Sequence, residues 1–157
     1  DAALAAALGL TLVDFASSVV PAQVVSTGTA HLMVPLTTRT AVDRADPNAP
    51  ELRSHLLCAG AEGCYIFSLD QTTERAVAYS RFFNPVAGIR EDPATGTAAG
   101  PLVSHLVARH AVEDGTAAVI QQGVLVGRES LLQVKVTGDD VRLSGTCFTS
   151  AEGSILA

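Results

Sequence analysis

Residues 88–112 read GIREDPATGTAAGPLVSHLVARHAV, and the fold turns on how the two parts of this stretch are joined. The first part carries Glu91-Asp92, then Pro93, Thr95, Gly96 and Thr97, residue types that suit a turn and a helix N-terminus. The second part places Ala99, Leu102, Val103, Leu106 and Val107 at helical spacing. Ala98, Ala108 and Ala111 widen that apolar stripe almost all round, which predicts a largely buried helix closed by Glu113-Asp114-Gly115. Pro101 lacks an N–H and fits within a first turn, so the regular helix is expected to begin near Thr97 or Ala98. The stretch therefore reads as a tight loop that delivers a carboxylate pair to a helix start. Small side chains leave the amides of Gly96, Thr97, Ala98 and Ala99 open, and free N–H groups together with the helix dipole favour an anion there.

Working outward, residues 2–8 favour a short alanine-rich helix ended by Gly9. Residues 19–25 are broken and extended, with Pro21 as a turn; residues 26–29 are a turn, and residues 31–36 a short apolar strand. A loop at 46–50 leads into a helix over 51–58, with Leu52, His55 and Leu56 on one side and Gly60 as its stop. Residues 63–69 and 75–83 alternate and are rich in β-formers, so an antiparallel pair turning at Gln71-Thr72-Thr73 is expected. Beyond the apolar helix, strands are predicted over 117–122, 130–137 and 140–147, with a hairpin turn at Gly138-Asp139-Asp140 and a last short strand at 153–156. The tetrapeptide TGTA occurs at 27–30 and 95–98, but strand follows once and helix once, so it is no internal repeat. Many strands and one apolar helix form an α+β pattern. The simplest burial of both is a barrel-like antiparallel sheet wrapped around a central helix, in one domain spanning 1–157.

Composition narrows the function. Of the 157 residues, 48% are hydrophobic and 17% charged, which describes a globular chain able to build a core. A net charge of −6 argues against nucleic-acid binding, which needs a basic footprint. The opening DAALAAALGLTLV has no basic start and is too short to span a bilayer, and no later run is long enough, so a soluble cytoplasmic protein is expected. Cys58, Cys64 and Cys147 lack zinc-type spacing and read as buried free thiols. His105 and His110 lie five apart and do not share a helix face, so no metal site is expected. His105 and Arg109 do share one, facing solvent or a partner. There is no phosphate loop, dinucleotide fingerprint or paired nucleophile, and no cofactor is expected.

EDPATGTA, preceded by SRFFNPVAGI, resembles the signature of the phenazine-biosynthesis isomerase (PhzF-like) family, which is similar in fold to diaminopimelate epimerases and proline racemases. VSTGTAHLMVPL at 25–36 and QGVLVGRES at 122–130 fit the same family in the same order. The departures are Thr97, where many members have Ser, and Glu129, where Pro is common. The resemblance is to the C-terminal half of a two-domain protein; the N-terminal half, with its catalytic glutamate and glycine-histidine segment, lies outside this sequence. It implies an epimerase-like half with a barrel-like sheet around a helix.

By composition alone, Glu91-Asp92 reads as an exposed acidic loop capping a helix. The resemblance instead makes Asp92 the acid/base group of the cleft, with Glu91 supporting the loop. The amides of Gly96, Thr97 and Ala98 become the grip on a substrate carboxylate or enolate oxygen. Arg128, beside Gly123 and Gly127, either holds an anionic substrate or is an ordinary loop arginine. His31 reads first as a structural strand histidine, with support of the cleft as the alternative. The implied function is cofactor-independent isomerisation of a small anionic metabolite by proton transfer beside a carboxylate or carbonyl. The chain is expected to pair with an N-terminal half or to form a homodimer through a face holding Phe82, Phe83 and Pro85. The rival reading is a non-catalytic module that binds a small acid or self-associates.

Overall fold

Two apolar surfaces run back to back through a single sheet in this computed structural model, which describes residues 2–15, 20–70 and 76–154. The strands are β1 (Gln23–Ser26), β2 (Ala30–Pro35), β3 (Gly63–Ser68), β4 (Ala78–Asn84), β5 (Ile89–Asp92), β6 (Ala117–Gln122), β7 (Ser130–Thr137) and β8 (Asp140–Ser144). The helices are α1 (Ala2–Ala7), α2 (Arg39–Arg44), α3 (Ala49–Ala59) and α4 (Gly96–Ala108). The sheet runs β1-β2-β3-β4-β6-β7-β8, and β5 pairs with β4 off this path.

The sheet is mixed, which corrects the antiparallel expectation. β2 lies parallel to β3, pairing His31 with Gly63, and β4 lies parallel to β6, pairing Ser80 with Gln122. Parallel neighbours need a crossover that returns the chain to the same end of the sheet. Helices α2 and α3 supply it between β2 and β3; β5 and α4 supply it between β4 and β6. The remaining pairs, including β3 with β4, are antiparallel.

Strand alternation sorts the side chains. Leu32, Val34, Cys64, Ile66, Tyr79 and Phe83 face one way and pack with residues of α1, α2 and α3. Met33, Tyr65, Phe67, Phe82, Ile120 and Val134 face the other way and pack on Ala98, Ala99, Leu102, Val103 and Leu106 of α4. With both faces covered, every residue of β3 and β4 is buried. Helix α4 touches β1 and β2 near one end of the strand order and β7 and β8 at the other, so the sheet curls over it as a half-barrel.

Several details differ from expectation. Helix α4 begins at Gly96, so Pro101 sits six residues in and removes the bond that Thr97 C=O would accept. It ends at Arg109 and His110, where His110 turns left-handed (φ 58°) and Ala111 N–H reaches Leu106 C=O at 2.9 Å, well before residues 113–115. Ala108 and Ala111 are exposed, so the apolar stripe is narrower than predicted. His105 is buried and bonds Pro21 C=O at 2.9 Å, and Arg109 donates to Gln23 Oε1 at 3.0 Å, so both serve the β1 end of this same chain. Cys64 is buried, its thiol pushed up to about 12 by desolvation, while Cys58 and Cys147 are exposed. Phe82 and Phe83 are buried in the two cores and cannot form an exposed patch. Strand β8 stops at Ser144, and Gly153 and Ser154 belong to no strand. The turn read at Gln71–Thr73, and residues 155 and 156, lie outside the described residues. None of the described helices is long and apolar enough to cross a membrane.

Candidate active site at the start of helix α4

Glu91 and Asp92 are the last two residues of β5, where sequence had indicated a loop. Neighbours on a strand point to opposite faces, so the carboxylate pair is split by the sheet. Asp92 pairs with Phe82, whose ring lies in the α4 core. Glu91 turns to the other side and meets Arg81, with Nε–Oε1 at 3.0 Å and Nη2–Oε2 at 2.9 Å. Both side chains are nearly inaccessible, at 9% and 10% exposure. Arg81 Nη1 also donates to the carbonyls of Val42, Asp43 and Ala45 at 2.7–3.1 Å, at the end of α2. Glu91 is thereby consumed in fastening β5 and α2 to β4.

Asp92 has different surroundings. Thr95 Oγ1 donates to Asp92 Oδ2 at 2.6 Å. Gln122, fully buried at the end of β6, sets the direction of that bond. Its Oε1 accepts from Thr95 N–H at 3.2 Å and from the Tyr65 hydroxyl at 2.8 Å. Its Nε2 donates to Asp92 C=O at 2.6 Å and to Thr95 Oγ1 at 3.0 Å. A backbone N–H only donates and a backbone C=O only accepts, so the amide has one possible orientation. Thr95 Oγ1 therefore accepts a hydrogen bond from Gln122 and donates its own to Asp92. Ser80 backs the network with a 2.8 Å bond to the Tyr65 hydroxyl, and burial pushes that phenol up, which keeps it a donor. Asp92 Oδ1 has no hydrogen-bond partner among the described residues.

The helix start follows directly. Thr95 is the N-cap, and its C=O accepts from Ala98 N–H at 3.2 Å and Ala99 N–H at 3.0 Å. Ala98 therefore drops out of the expected anion grip, because its N–H already donates to the cap carbonyl. The amides of Gly96 and Thr97 keep no partner among the described residues. A Cβ on Gly96 would stand 2.5 Å from Leu143 Cδ2, so the end of that β8 side chain lies against the helix start. His31, 2% exposed on β2, brings its Nε2 to 3.2 Å from Thr97 Oγ1. Burial lowers its pKa below the ordinary range, against a weaker raising effect of Glu62.

Arg128 is exposed on the 123–128 loop and its side chain makes no ion pair among the described residues. Its backbone is close to the site: a Cβ on Gly123 (φ 79°) would collide with Arg128 C=O at 2.4 Å and Pro93 C=O at 2.6 Å. Structure thus brings Asp92, Gly96, Thr97 and His31 to one helix end, keeps Arg128 on the adjoining loop, and sends Glu91 through the sheet. A separate cavity of about 700 Å3 opens on the Glu91 side, lined by Leu52, Arg81, Phe83, Pro85, Ile89 and Leu125 among others. Its charged lining is the mutually paired Arg81 and Glu91 with Asp46 and Arg90, and neither Asp92 nor the free amides line it, so the helix end is the better candidate for the proton transfer read from Asp92. Among the described residues no cluster of His, Cys, Asp and Glu is placed to hold a metal ion.

The family model for phenazine biosynthesis-like proteins (PhzC-PhzF) matches residues 1–153. The chain belongs to the phenazine biosynthesis-like family. It is 33% identical over 153 residues to the uncharacterised isomerase YddE of Escherichia coli K12, covering 92% of this chain and 50% of that protein. It is 43% identical over 82 residues to trans-2,3-dihydro-3-hydroxyanthranilate isomerase of Pseudomonas fluorescens, covering 49% of this chain and 30% of that protein. Its fold matches the crystal structure of a PhzF-family phenazine biosynthesis protein of Bacillus anthracis with a TM-score of 0.78, at 23% identity, over 90% of this chain and 50% of that one. The chain spans half or less of the length of these relatives.

Sequence reasoning missed Thr95, Gln122, Tyr65 and Ser80. Thr95 and Gln122 stood inside the motifs EDPATGTA and QGVLVGRES, where attention went to the charged residues and glycines. The usable signal was a glutamine at the end of the apolar run AAVIQQ, since a buried amide needs partners.

Proposed function

We propose that this chain supplies the Asp92 half of a cofactor-independent isomerase acting on a small anionic metabolite. The observation that carries the reading is the pairing of a half-buried carboxylate, anchored through Oδ2 by Thr95, with the unpartnered amides of Gly96 and Thr97 on the next turn of chain. In this reading Oδ1 of Asp92 is the oxygen that takes or returns a proton. Gly96 and Thr97 hold the substrate's carboxylate or enolate oxygen and stabilise the charge that develops as the C–H bond breaks. Arg128, exposed on the adjoining loop, steers the anion in by its charge in this reading. Isomerisation needs a second acid/base group to deliver the proton elsewhere on the substrate, and the N-terminal half of the two-domain relatives is its source.

Leu143, 48% exposed beside Gly96, is an apolar element available to the docking half, in place of the buried Phe82 and Phe83. The relative from Pseudomonas fluorescens makes trans-2,3-dihydro-3-hydroxyanthranilate the first substrate to try. The test mixes that compound with this chain in deuterated water, with and without a polypeptide corresponding to the N-terminal half. Deuterium should enter the substrate only when both halves are present. Full exchange by the lone chain would contradict the half-site reading, and exchange by a homodimer of it would place the second group here.

A further inference from the structure

We infer that His31 is a positioning residue for the helix end: its Nε2–H donates to the Thr97 hydroxyl and so turns that hydroxyl's own proton outward, toward an acceptor atom of the ligand. The inference rests on the reading of Gly96 and Thr97 as an anion grip and names how that grip is tuned.

The argument begins at the other ring nitrogen. His31 Nδ1 is buried and has no hydrogen-bond partner. The Phe82 ring lies on that side, perpendicular to the imidazole with centroids 5.1 Å apart and planes at 86°. A Cβ added to Gly63, the residue paired with His31 on β3, would stand 2.3 Å from Phe82 Cζ and 3.2 Å from Nδ1, so position 63 has no room for a side chain that could partner Nδ1. A proton on Nδ1 would be a donor orphaned in apolar surroundings, which loses its hydration without replacement. An imidazolium would add a buried charge to the same orphaned donor; Glu62 favours that charge, but burial outweighs it and drives the ring toward neutrality. The arrangement with least loss is a neutral ring protonated on Nε2, the nitrogen 3.2 Å from Thr97 Oγ1.

A hydroxyl has one proton and accepts through its lone pairs. With His31 donating to it, the Thr97 hydroxyl keeps its proton for another acceptor, and the described residues offer it none. Thr97 is exposed, so that acceptor is solvent water until a ligand oxygen takes its place. The helix start then presents three donors: Gly96 N–H, Thr97 N–H and Thr97 O–H. Three donors favour a carboxylate, which offers them two charged acceptor oxygens, over a carboxamide, which offers one neutral oxygen.

The test uses the 157-residue chain with 15N-labelled histidine. Long-range proton–nitrogen NMR spectra report which ring nitrogen is protonated, and the signal missing in His31→Leu identifies His31. A proton on Nε2 alone near neutral pH is expected; a proton on Nδ1, or on both, overturns the inference. A second arm follows the Gly96 and Thr97 amides during titration with succinate, with succinamide as the uncharged comparison. His31→Leu should bind succinate about fivefold more weakly, the worth of one ordinary hydrogen bond, and His31→Gln, which restores a side-chain N–H donor, should recover it. Equal binding by wild type and a folded His31→Leu overturns the inference; should that variant not fold, the signal missing in His31→Gln supplies the assignment and the wild-type ring spectrum decides. Wild-type amides indifferent to succinate, with Nε2 protonated, would instead sink the anion-grip reading while the donor assignment stands.

Discussion

Thr95 donates its hydroxyl proton to Asp92 Oδ2 across 2.6 Å, and the buried Gln122 amide leaves that proton no other direction. Thr95→Val keeps the shape and deletes the bond. A hydrogen bond to a charged group is worth about 1.5–3 kcal/mol, so the proton-exchange rate should fall by about tenfold or more with little change in KM. Gln122→Leu should act on folding as well, because Thr95 N–H, Asp92 C=O and the Tyr65 hydroxyl all lose their partner. About 2–4 kcal/mol of lost stability in urea unfolding is expected. A Thr95→Val enzyme at wild-type rate would show that Asp92 needs no such anchor.

Arg81 and Glu91 should matter to stability far more than surface pairs do. Removing one partner of a buried, hydrogen-bonded ion pair typically costs about 3–5 kcal/mol, because the other charge stays behind. Arg81→Met should fall in that range by chemical denaturation, since it also abandons three carbonyls at the end of α2. Asp140→Asn breaks the Arg142–Asp140 pair, whose side chains are 78% and 59% exposed, and should change stability by less than about 1 kcal/mol. Equal effects of the two changes would contradict the burial argument.

His31 gives the fold a pH dependence of known sign. Its pKa is lowered in the folded chain by burial, so the unfolded chain binds the proton more readily. Stability is unaffected above the ordinary value of 6.5 and falls as pH drops from there toward the lower folded value. Unfolding midpoints measured across this window should decline in wild type more steeply than in His31→Leu. Identical slopes would mean that His31 titrates as though it were in water.

Much of this was legible in the sequence, for identifiable reasons. Helix α4 and its entry were readable because Pro93, Thr95 and Gly96 punctuate the chain just before an apolar 3.6-residue repeat. Hairpin β7–β8 was readable from Gly138-Asp139 between two alternating runs. Strand direction was not, since alternation is the same in parallel and antiparallel ladders; only the crossovers fix it. Helix α2, RTAVDR, is too short for a periodic signal, and β5, IRED, is polar enough to pass for a loop until β4 pairs with it. The Gln122 network was hidden because it is non-local: Tyr65 lies 57 residues from Gln122 and Asp92 lies 30. The same non-locality split Glu91 from Asp92, since the partner that claims Glu91 is ten residues back on another strand.

Asp92 as the proton-transferring group is the centre of the account, and one measurement addresses it most directly. Deuterium incorporation into trans-2,3-dihydro-3-hydroxyanthranilate is followed by NMR for this chain joined to an N-terminal half, beside the same protein carrying Asp92→Asn. Asparagine keeps the size and the bond from Thr95 but cannot take up a proton. The account predicts ready exchange in the first and a loss of about 10²–10⁴-fold in the second, the usual contribution of a positioned general acid or base. Exchange at the same rate in both would contradict it.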